Sequence, residues 1–111
     1  MNATSRRQKI EAMLQDEPQD TFLRYGLAME LQKEGEYEAS LQGFRDLMRD
    51  RPPHVPAFFM AAKLLAQLGR VEEACAALRE GIEHSRVLGD HHAENEMGEF
   101  LMALGARNDD R

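Results

Sequence analysis

A single cysteine, Cys75, stands in the 111-residue chain, so no disulfide can form within it and a reducing cytoplasm is the expected compartment. Long apolar runs are missing. The richest stretch, "VPAFFMAAKLLAQL" (Val55–Leu68), is too short to span a bilayer and carries Lys63. The first twenty residues, "MNATSRRQKIEAMLQDEPQD", are charged throughout and lack the apolar centre of a secretory signal. Positive charge is in deficit. Fourteen Lys and Arg face twenty Asp and Glu, and a net charge of −6 disfavours binding to phosphate backbones. The local exception, "RRQK" at Arg6–Lys9, reads as solvated helix surface. Neither nucleic acid nor membrane is an expected partner. Alternating runs of Val, Ile and Thr are absent, which argues against strands.

The usual marks of catalysis are also scarce. A nucleophile needs an orienting base within hydrogen-bond reach. Cys75 lies in the apolar stripe "VEEACAALREGI" with no histidine on its face, and reads as a buried, inert thiol. His92 and Glu96 stand four apart beside His91, but a zinc site needs at least three well-placed ligands, and only a distant His84 offers itself. Gly35 and Gly69 are single turn glycines, not a phosphate-cradling loop. No enzyme, cofactor or metal is expected.

What remains is helical spacing along the whole chain. A first helix is expected over 5–15, with Ile10, Met13 and Leu14 on one face and Thr4 or Ser5 as its cap. "DEPQD" ends it, since the residue before Pro18 is pushed out of the helical region. Asp20 suits the N-cap of a second helix, Thr21 to Glu34, which Gly35 closes. A third spans Tyr37 to Arg49 and stops before "RPPHVP". Pro56 opens a fourth, ending at Leu68 before Gly69. A fifth carries Val71, Ala74, Cys75, Leu78 and Ile82 up to the turn at Leu88–Asp90, and a sixth carries Met97, Phe100, Leu101 and Leu104. Short turns between helices force antiparallel neighbours.

These helices repeat. Shifted by 34 residues, Ala28 falls on Ala62, Leu31 on Leu65, Gly35 on Gly69, Ser40 on Ala74 and Phe44 on Leu78. Each pair keeps its chemistry: small, large apolar, glycine, small, large apolar. Glycine lets the chain reverse, and the small residues allow close helix approach. From Asp20 to Gly105 the chain thus resembles the tetratricopeptide-repeat family, most strongly in "LAMELQKEGEYEASLQGFRDLMRDRP" and "FMAAKLLAQLGRVEEACAALREGI". The expected fold is all-α, about six helices in antiparallel helix–turn–helix repeats forming a right-handed superhelix. A single domain, 1–111, would comprise an N-terminal helix (5–15), repeat one (20–53), repeat two (54–88), a C-terminal cap helix (90–105) and a frayed tail (106–111). Departures are Arg24 where Phe58 supplies the family's early aromatic, and Leu47 where Gly81 supplies its late small residue.

The resemblance implies a non-catalytic protein–protein interaction module that binds a peptide or protein segment on a concave face lined by the first helix of each pair. By the same resemblance that groove would hold Tyr25, Met29, Phe59 and Lys63, with His92, Asn95 and Glu99 from the sixth helix. Tyr25 and Phe59 are 34 apart and equally suit a second role, packing on flanking helices to complete the core. Lys63 and Asn95 alone are too few for the carboxylate clamp some family members use on chaperone tails. The alternative function is self-association into a homodimer or scaffold, with terminal helices stacked through Met97, Met102 and Leu104.

Overall fold

The computed structural model describes residues 5–109. They form six helices, α1 (Arg6–Asp16), α2 (Thr21–Lys33), α3 (Tyr37–Arg49), α4 (Val55–Gln67), α5 (Val71–Leu88) and α6 (His91–Asp109), with no strand among them. Each helix packs on the next in the chain, and α6 also touches α4. The result is a slab of 51 × 32 × 19 Å. Its radius of gyration, 15.1 Å, exceeds the roughly 13 Å of a compact chain this long, as a stack of hairpins should. No helix among the described residues is long and apolar enough to cross a membrane.

Local chemistry sets the helix ends. Ser5 Oγ accepts from the Gln8 amide (3.1 Å) while Gln8 Oε1 accepts from the Ser5 amide (3.0 Å), a reciprocal cap. Asp20 and Asp90 accept from the amides of Leu23 (2.8 Å) and Ala93 (3.0 Å). Gly35, Gly69 and Gly89 take φ of 81°, 79° and 75°, the left-handed turn that ends a helix. The amide beyond each bonds back five residues, Glu36 to Leu31, Arg70 to Leu65 and Asp90 to Ser85, at 2.8–2.9 Å. Gly105 does not act this way. It stays helical, and α6 runs on to Asp109, so residues 106–109 are not the frayed tail expected, while Asp110 and Arg111 lie outside the described residues. Mid-helix glycine costs about 1 kcal/mol, which is too little to end a helix on its own.

The paired positions form the core. Ala28, Ala62, Ser40, Ala74, Phe44 and Leu78 are buried to within 1% of full burial, and Leu31 and Leu65 nearly so. The Ser40 hydroxyl donates to the Ala28 carbonyl at 2.6 Å, drawing α3 onto α2. Ile10 of α1 lies 34 residues before Phe44 and is also buried, and Pro18 lies 34 before Pro52. The first helix therefore stands in the register of a pair's second helix. α5 has 18 residues against 13 in α3, since no proline follows where Pro52 stops the first pair.

Candidate functional site

Two hollows lie on the side of the slab built by α2, α4 and α6, and neither is lined by α3 or α5. The smaller, about 220 Å³, is walled by Tyr25 from α2, Phe59 and Met60 from α4, and His92, Glu96 and Met97 from α6. The shallower one, about 390 Å³, lies among Gln32, Phe59, Lys63, Gln67 and Phe100. Phe59 is the wall common to both. Its phase on α4 follows from Phe58 and Ala62, which turn fully inward and leave the next residue at the edge of the core.

Aromatic edges shape this surface. Phe59 meets Phe100 edge-on, with ring centroids 5.8 Å apart, and Lys63 Nζ stands 5.1 Å from the Phe59 centroid. Tyr25 is edge-on to both Phe44 (5.9 Å) and His54 (4.8 Å), and burial pushes its phenol above the usual range. The two roles weighed for the aromatic pair thus coexist: each ring packs on a flanking helix or loop and keeps one edge open.

Of the residues expected to form the groove, Tyr25, Phe59 and Lys63 come together here. Met29 lies on the far side of Tyr25, in a separate groove between α1 and α2. Asn95 and Glu99 are exposed and line none of these three hollows. In their place α6 presents His92, Glu96 and Phe100, four residues apart. α6 does not present Asn95 and Glu99 in the phase that Phe59 and Lys63 take on α4. Its phase comes instead from Met97, whose sulfur lies 2.6 Å from where a Cβ on Gly81 would stand. Centring the apolar stripe Ala93, Met97, Leu101 and Leu104 would have found the inner edge directly.

The metal-ligating side chains weighed from the sequence do not come together among the described residues. His84 stacks on Phe58 (5.3 Å), away from His91 and His92, and among the described residues no three metal-ligating side chains cluster. His92 and Glu96 stand 3.9 Å apart as an exposed pair. Cys75 is half-buried against the core, more open than expected. The arrangement can grip apolar and aromatic groups and place one ammonium beside them.

No family model matches the chain, and no curated protein matches it significantly. A solution structure of a Bordetella parapertussis protein, determined by the Northeast Structural Genomics Consortium, is similar to it at 27% identity and a TM-score of 0.80, over 98% of this chain and 92% of that one. Coverage of that extent takes in α1 and α6, so the terminal helices are part of the common architecture.

Proposed function

We propose that the chain is a non-catalytic, tetratricopeptide-like scaffold of the cytoplasm that seats a segment of another protein across α2, α4 and α6. The observation that carries this reading is the Phe59 ridge between two hollows, with the Lys63 ammonium above its ring. A bound segment would place an apolar side chain on each side of the ridge and an acidic group on Lys63. The 34-residue register supports the reading, because it repeats an aromatic at 25 and 59 on helices of the same kind.

The test is affinity capture from the native host with the wild-type chain, Phe59→Ala and Lys63→Glu. Lys63 is exposed, so its reversal leaves thermal stability unchanged and should abolish capture of an acidic segment. Tyr25 is a poor probe, since its ring also packs on Phe44 and His54. A bound set identical for all three proteins would eliminate this face.

A further inference from the structure

The two ends of the slab are unlike, and each lacks what the other has. α1 keeps the register of a pair's second helix but no first helix precedes it among the described residues. Its residues Arg6, Lys9 and Met13 are the 34-residue twins of Ser40, Gly43 and Leu47, which lie against α2 or within the core. In α1 they are open: Met13 is 48% exposed. With α2 they bound a groove of about 380 Å³ whose floor includes Ile10, Leu23 and Gly26 and whose lip carries Phe22, 80% exposed. Arg6, Lys9 and Lys33 rim it, against one acid, Glu30.

At the other end α6 occupies the place of a pair's first helix, and no second helix follows it among the described residues. Met97 and Leu104, expected to carry a stacking contact, are each 1% exposed inside the core and cannot do so. The open side of α6 is instead Asn95, Gly98, Glu99 and Met102. A Cβ on Gly98 would meet nothing within 4 Å, and Met102 is 75% exposed. That surface is small, apolar at one point and acidic beside it.

We infer that α6 of one molecule docks in the α1–α2 groove of a second copy, completing a helix pair between chains. Among the described residues, a first-type helix with an open side meets a second-type helix with an open side. Met102 reaches the Met13–Phe22 lip, and Glu99 faces the basic rim. The long side chains of Arg6 and Lys9 prevent the approach that Gly43 makes to Ala28, so the contact is looser than those within the chain and depends on charge. Because the two surfaces differ, the contact does not close on itself, and stacking continues in a line.

Sedimentation velocity tests this. Wild-type protein should show a mean mass that rises past the dimer between about 10 µM and about 1 mM, with association weakened tenfold or more by salt near 0.5 M. Phe22→Glu and Met102→Glu, both at exposed positions, should keep wild-type melting and stay monomeric. Each retains one intact end, so their equimolar mixture should form pairs and stop at two. A wild-type chain that remains monomeric throughout would overturn the inference. So would association that survives both substitutions, or variants that fail to pair with each other. None of these results bears on Lys63 and the inner face.

Discussion

The two helix pairs solve one packing problem in opposite ways. Positions 24 and 50 in the first correspond to 58 and 84 in the second. In the first, Arg24 and Asp50 form a two-pronged ion pair at 2.8 and 3.3 Å, with side chains 20% and 34% exposed. In the second, Phe58 is 1% exposed and stacks on His84 at 5.3 Å. The facing position compensates. Leu47 fills the core from α3, whereas its twin Gly81 yields room on α5 to Phe58. What the repeat maintains is filled space between helices, and which helix supplies the bulk is free to change. Arg24 and Leu47, departures from the pattern in the sequence, are the two halves of that exchange.

Removing the bulk should cost most where it is sealed. Phe58→Ala is expected to lower stability by about 3–5 kcal/mol, whereas Arg24→Ala, at the partly open twin position, should cost no more than about 1 kcal/mol. Urea unfolding of both variants checks the ratio. Equal losses would mean that the ion pair is as sealed as the ring stack.

Alanine at the facing positions sharpens the contrast, being too small at one and too large at the other. Leu47→Ala leaves a cavity and should cost about 2–5 kcal/mol. Gly81→Ala drives a Cβ to 2.6 Å from both Phe58 Cβ and Met97 Sδ and should cost about 1–3 kcal/mol. Helix propensity alone predicts the reverse sign for Gly81, a gain of about 1 kcal/mol. A stabilised Gly81→Ala would therefore show that α4, α5 and α6 do not meet so closely.

A smaller difference lies at 40 and 74. Ser40→Ala deletes a buried bond to the Ala28 carbonyl and should cost about 1 kcal/mol. Ala74→Ser offers the same hydroxyl to the Ala62 carbonyl, one register on. It should be neutral to within about 0.5 kcal/mol if the second pair is spaced like the first. Thermal melts of both variants decide it, and a marked loss for Ala74→Ser would mean closer helices in the second pair.

Much of this architecture was legible in the sequence because its determinants are local. Glycine followed by a charged residue marks each reversal, and Gly35 and Gly69 turn where expected. Ser5, Asp20 and Asp90 cap as their side chains predict. The inner face was legible only where the register holds, at Tyr25, Phe59 and Lys63. It failed at α6, whose phase depends on a long-range fact, the space above Gly81 that Met97 enters. The same fact buries Met97 and leaves Asn95 outside. Gly105 misled because a mid-helix glycine costs only about 1 kcal/mol and does not by itself end a helix.

The least of the expected effects also separates the pairs, through pH. His54, before α4, lies edge-on to Tyr25 at 4.8 Å. Burial, foremost, holds its pKa below the ordinary value of 6.5, with nearby Asp50 opposing and Arg24 adding to the shift. Folding thus favours the neutral ring. The stability it contributes is complete above pH 6.5 and is lost as pH falls from there through the lower folded value. Its twin in the second pair is Leu88, 56% exposed, which cannot titrate. His54→Leu should therefore lose less stability than wild type between about pH 7 and about pH 5, read as a smaller shift in the urea midpoint. Parallel pH profiles for the two proteins would remove His54 from the account and leave the pairs alike in this respect.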